Sequence, residues 1–169
     1  EKRTRLTQGG SDQFLLWSAD GNEIVFTSAR NGGVQALFLQ NVEGTGDARL
    51  LLSPGRSPEH WSSKTDQLTY ITLQGARDYD IWSYSLASKT STVLVGSPMT
   101  AELASQLAPS GKWLAYQSNE SGQYEVYIEP NPANGTKVQV SKGGGMRPIW
   151  ANDGELYFDV GGKLYSVEL

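Results

Sequence analysis

Short apolar runs, separated by polar turn residues, recur along this chain in a fixed phase. Four anchor segments occupy equivalent places: Trp17-Ser18-Ala19-Asp20-Gly21, Trp61-Ser62-Ser63-Lys64-Thr65-Asp66, Leu107-Ala108-Pro109-Ser110-Gly111 and Trp150-Ala151-Asn152-Asp153-Gly154. Their first residues, at 17, 61, 107 and 150, are spaced by 44, 46 and 43 residues. An apolar run follows each anchor: Ile24-Val25-Phe26, Leu68-Thr69-Tyr70-Ile71, Trp113-Leu114-Ala115-Tyr116 and Leu156-Tyr157-Phe158. A second run carries Leu37-Phe38, Ile81-Trp82, Val126-Tyr127 and Leu164-Tyr165. A third, more polar run follows in three of the repeats: Arg49-Leu50-Leu51, Thr92-Val93-Leu94-Val95 and Lys137-Val138-Gln139-Val140. With the strand that leads into the anchor, a full repeat holds four strands, a to d.

A period of about 40–45 residues with four strands per unit predicts an all-β propeller of four blades. The strands lack a clean apolar–polar alternation. Inner strands covered on both faces by neighbouring blades need none. The predicted blades are approximately 13–52, 57–95, 103–141 and 146–169 of a single domain over 1–169. The last repeat has no d strand, and Thr4-Arg5-Leu6-Thr7 has the character to supply it. The expectation is that this N-terminal strand pairs with 164–167 and closes the ring, removing open sheet edges. A ring that one chain does not close would instead self-associate. Met99 to Ala108 is rich in Ala, Leu and Glu but short, and is expected as a loop or a single helical turn.

The anchors resemble the Trp-Ser-Pro-Asp-Gly motif of TolB-type propeller repeats, most closely at Trp17-Ser18-Ala19-Asp20-Gly21. Ser118 to Gly122 followed by Glu125-Val126-Tyr127 is similar to that family's b–c loop and third strand, and Thr27 to Gly32 is a second copy. The resemblance implies a WD-repeat-like scaffold used in the bacterial periplasm for protein interaction, or attached to peptidases, kinases and transcription regulators. A periplasmic or extracellular location and a domain excised from a larger protein are the matching expectations. The family's Pro is absent from three anchors, and Leu107 replaces Trp in the third.

The composition narrows the functional classes. A net charge of −4 gives no overall attraction to phosphate backbones, so nucleic acid is not an expected partner. No apolar run is long enough for a membrane span, so no membrane insertion is expected. There is no cysteine and a single histidine, His60. No Gly-x-Ser-x-Gly elbow, phosphate loop or His-rich metal motif accompanies it, so neither a cofactor nor a metal is expected. Asp78-Tyr79-Asp80 pairs two carboxylates without calcium-loop spacing.

Recognition is then expected on the face where the d–a and b–c loops emerge. That face should gather Arg30, Glu59, His60, Arg77, Asp78, Tyr79, Glu120, Tyr124 and Arg147. Tyr and Arg are favoured at interface hot spots. The resulting expectation is a non-catalytic binding or sensing module for a protein, a peptide or a cell-envelope component. The alternative is a hydrolase or lyase with an acidic site, drawn from residues such as Glu59, Asp78 and Glu120, at the mouth of the central channel. The three anchor tryptophans are expected to be buried between blades.

Overall fold

The computed structural model describes residues 3–74 and 78–168, and the strands found there fall into four antiparallel sheets. Blade 1 contains β1 (Gln13–Trp17), β2 (Glu23–Ser28), β3 (Ala36–Asn41) and β4 (Arg49–Leu52). Blade 2 contains β5 (Pro58–Trp61), β6 (Gln67–Gln74), β7 (Asp78–Ser85) and β8 (Thr90–Val95). Blade 3 contains β9 (Glu102–Leu107), β10 (Trp113–Ser118), β11 (Glu125–Pro130) and β12 (Val138–Gln139). Blade 4 contains β13 (Met146–Trp150), β14 (Leu156–Val160) and β15 (Lys163–Val167). Each sheet is a meander in which consecutive strands are neighbours.

Every anchor residue ends an inner strand, and the turn after it is built by its own side chains. In blade 1 the Ser18 hydroxyl donates to Asp20 Oδ1 at 2.6 Å and accepts from Glu23 N at 2.9 Å. Asn22 N donates to the same Asp20 oxygen at 3.0 Å, and Gly21 takes φ +73°, which a side chain would resist. The Ser18 hydrogen bond, then those from Asn22, pull the Asp20 carboxyl down to about 2. The motif is thus a self-bonded turn that returns the chain into strand b.

Each inner strand also carries a bulge three residues or fewer before its anchor. Phe14, Ala104 and Arg147 occupy the bulged positions of blades 1, 3 and 4 with φ of +49°, +56° and +55°. The equivalent of blade 2 is Pro58, whose ring forbids positive φ, yet the register shifts there too. A bulge leaves backbone groups outside the ladder, and these need other partners. For Ala104 and Ser105 the partner is Glu59 of blade 2; for Arg147 it is Gln117 of blade 3.

The core is divided among the clefts between blades. Val25, Leu37 and Leu39 of blade 1 meet Leu68, Tyr70 and Tyr84 of blade 2. Ile71 and Ile81 meet Leu107, Leu114, Tyr116 and Tyr127 of blade 3. Ala115, Val126 and Ile128 meet Leu156 and Phe158 of blade 4. A fourth cluster, Ile24, Phe26, Ala36 and Phe38, lies on the other face of blade 1.

This arrangement corrects three expectations. Thr4–Thr7 forms no strand and does not join β15; Leu6 instead packs on the outer cluster of blade 1. Leu6 gains a hydrophobic contact there, beside Phe26 and Phe38. Among the described residues blade 4 is three-stranded, and no hydrophobic cluster joins it to blade 1. Trp17 is consequently 56% exposed rather than buried. Trp61 and Trp150 each pack at the cleft with the preceding blade, and nothing fills that place for Trp17. Finally, Glu102–Leu107 is the inner strand of blade 3, not a loop or helical turn. Leu103 and Leu107 reach the core between blades 2 and 3, and that burial overrides the local helix preference.

Candidate partner-binding face

The residues expected on the loop face are dispersed into different environments. Arg30 donates to Asp12 at 2.8 Å and lies over the rings of Phe26 and Phe38, with its guanidinium carbon 5.1 and 4.9 Å from their centroids. Its charge and its planar surface are both used within blade 1. Glu120 is ion-paired with Lys137, whose ammonium also sits 5.3 Å from the Tyr127 ring. Arg147 is exposed and reaches Asp159 at 3.3 Å. Tyr124 is half-buried, and its carbonyl accepts from Gly145 N at 2.9 Å. Arg77 lies outside the described residues.

Glu59 and His60 face blade 3 from the inner strand of blade 2. Glu59 accepts from Ala104 N and Ser105 N, both at 2.7 Å, and from the Ser105 hydroxyl. Burial of this carboxyl outweighs those donors and pushes it up to about 7. His60 Nδ1 lies 2.9 Å from Gln106 Oε1, and burial keeps the imidazole below its ordinary value, opposed by the Gln106 bond. Among the described residues no group of three or more His, Asp or Glu side chains is arranged to hold a metal ion.

Asp78 and Tyr79 do meet other polar groups at the loop face. Asp78 and Asp80 line a hollow of about 360 Å³ with Val93 and Gly96. Burial, then the neighbouring Asp78, raise the Asp80 carboxyl above its usual value. Tyr79 lies under Arg56, with the guanidinium 5.8 Å from the ring centroid.

Arg56 also borders an apolar cavity of the loop face. It holds about 290 Å³ between blades 1 and 2, lined by Val34, Gly55, Arg56, Thr72 and Leu73 among others. A second cavity of about 210 Å³ continues outward past Pro54 and Thr72 to Tyr70 and Trp82. Thr72 borders both, is 7% exposed, and its hydroxyl has no hydrogen-bond partner. The indole N–H of Trp82 is likewise buried and unpaired. Such groups cost free energy until something bonds them. Val34, by contrast, is 54% exposed at the rim. Neither Thr72 nor Val34 carries a signal that sequence reading could have used. Arg56 falls between the predicted blades 13–52 and 57–95, and nothing in the sequence sets it apart from other connecting residues.

No sequence-family model matches the chain, and no curated protein matches it by sequence. Solved structures do match by shape. A putative TolB from Agrobacterium tumefaciens superposes with a TM-score of 0.77 at 19% identity, over 90% of this chain and 56% of that one. TolB from Acinetobacter baumannii gives 0.71 at 16% identity, over 93% of this chain and 40% of that one. A puromycin-hydrolyzing peptidase of Mycobacterium tuberculosis gives 0.69 at 14% identity, over 89% of this chain and 28% of that one. The sheets described above are therefore the blades of a β-propeller. More narrowly, the chain has a TolB-like propeller fold, and it spans little more than half of the first of these structures and less of the others.

Proposed function

We propose that this protein is a non-catalytic binding module that takes a protein or peptide partner on its loop face, at the cleft between blades 1 and 2. The observation that carries this reading is the cavity beside Arg56 and Tyr79, with its exposed apolar rim at Val34 and the unpaired Thr72 hydroxyl on its floor. An apolar side chain seated there, with a carbonyl to accept from Thr72 or Trp82, satisfies what the fold leaves unsatisfied. Arg56 over the Tyr79 ring is a cationic edge of the residue type that anchors interfaces. A rigid scaffold loses little entropy on docking. The resemblance to TolB structures supports protein interaction in a periplasmic or extracellular setting, and a cell-envelope component fits that setting.

The alternative is a hydrolase or lyase site at the channel mouth. Its best support is Glu59, whose carboxyl is held near 7, close to His60. Both Glu59 oxygens, however, are occupied by the bulge of blade 3. A proton-transfer group needs an oxygen free for substrate. The test is a peptide-library selection against the folded protein, followed by Arg56→Ala together with Val34→Glu. Loss of the selected peptides with an unchanged fold is the expected result. Hydrolysis of peptide substrates that disappears in Glu59→Gln would transfer the case to the enzyme reading.

A further inference from the structure

The opposite face of the propeller, where the anchor turns lie, carries a pair of hollows with different chemistry. One holds about 160 Å³ and the other about 270 Å³. They adjoin along Pro109, Trp150 and Asn152, which border both. Trp61 walls the first and Trp113 the second, so three indoles surround one proline. All three tryptophans are only partly buried, so each keeps surface to offer. Trp150 is fixed in orientation, because its indole N–H donates to the Gln106 carbonyl at 3.1 Å.

The polar groups between these rings are uncharged almost throughout. No Lys or Arg borders either hollow, and Asp153 is the single carboxylate. The Gln106 side-chain oxygen can only accept, so His60 Nδ1 carries the proton of their 2.9 Å contact. His60 Nε2 is thereby left as the acceptor of an imidazole that borders the first hollow. Among the described residues the Asn152 side chain makes no hydrogen bond to the protein, though it borders both hollows. An amide offers two donors and an acceptor in one plane.

From this juxtaposition we propose that the paired hollows bind a neutral saccharide, with one pyranose ring seated against Trp150 and its hydroxyls paired with Asn152 and His60. A pyranose has an apolar C–H face and a polar rim of hydroxyls, each both donor and acceptor. The indole wall covers the first, and the amide and imidazole bond the second. Anionic ligands such as phosphates or uronates find no cation here and meet Asp153. The site is independent of the partner cavity, which lies at the other end of the blades.

Titration of the whole chain with cellotetraose, tetra-N-acetylchitotetraose and maltotetraose, read by tryptophan fluorescence and calorimetry, tests this. Decaproline and sorbitol serve as comparison probes. The expected result is saturable binding of at least one of the three oligosaccharides, in the range of about 0.1–1 mM. Asn152→Ala, at an exposed position, weakens it by about 3- to 10-fold, the loss of one or two hydrogen bonds. Trp150→Phe weakens it similarly while keeping an aromatic core residue, and circular dichroism of both variants matches the parent. Silence of all three sugars up to about 10 mM would overturn the proposal. So would sugar binding that neither substitution alters, or binding of decaproline alone. Failure here leaves the loop-face reading untouched, since no residue is shared.

Discussion

Glu59 reaches across from the inner strand of blade 2 to Ser105 of blade 3, where Oε2 accepts from both the backbone N–H, at 2.7 Å, and the hydroxyl. Ser105 is fully buried, and its hydroxyl oxygen accepts from the Thr69 hydroxyl at 2.9 Å. One carboxylate therefore ties two blades together at the bulge where Ala104 has positive φ.

This tie makes stability depend on pH in a definite direction. Burial raises the Glu59 carboxyl from 4.5 to about 7 in the folded chain, so the folded state holds its proton more tightly than the unfolded one. The stability it contributes is full below pH about 4.5 and is lost as pH rises toward about 7, with an upper limit of about 3 kcal/mol. In urea denaturation, the drop in stability from pH 5 to pH 8 should be smaller in Glu59→Gln than in the parent. An equal drop in both would remove Glu59 from the account.

The anchors should differ in energetic weight despite their shared motif. Trp61→Ala and Trp150→Ala each remove a ring packed at an inter-blade cleft and should cost about 2–3 kcal/mol, below the range for a fully buried Trp. Trp17→Ala, at a ring 56% exposed, should cost less than about 1 kcal/mol. Denaturation midpoints at constant m-value give the comparison. Equal costs at all three positions would mean that blade 1 has a neighbour covering Trp17.

The two ends of the arc of blades offer a further contrast. Leu6→Asp places a charge on the Phe26 and Phe38 cluster and should destabilise by about 1–3 kcal/mol, with increased binding of a hydrophobic dye. Leu164→Asp, at a residue 80% exposed on β15, should be within about 0.5 kcal/mol of the parent. The reverse ranking would show that the N-terminal segment pairs with blade 4 after all.

What was legible in the sequence was the repeat. The four anchors, their apolar runs and the four strands of blades 1 to 3 all follow from turn residues and burial that each repeat must satisfy by itself. The features that escaped depend on which blade lies next to which. Trp17 reads like Trp61, but only the latter has a preceding blade to pack on. Glu102–Leu107 reads as part of a loop or single helical turn until Leu103 and Leu107 are seen to fill the cleft beside blade 2. Arg30 has the character of an interface residue, yet Asp12, 18 positions away, neutralises it. The loop-face cavity is harder still, because Val34, Arg56 and Thr72 come from two blades and are brought together by packing alone.

The partner cavity is tested most directly by amide chemical-shift mapping of a library-selected peptide on the isotope-labelled chain. The account predicts perturbations concentrated at Val34, Gly55, Arg56, Thr72 and Tyr79, and lost in Arg56→Ala with Val34→Glu. Perturbations concentrated instead at the inner strands around Glu59 and His60, and unchanged in that double variant, would contradict it.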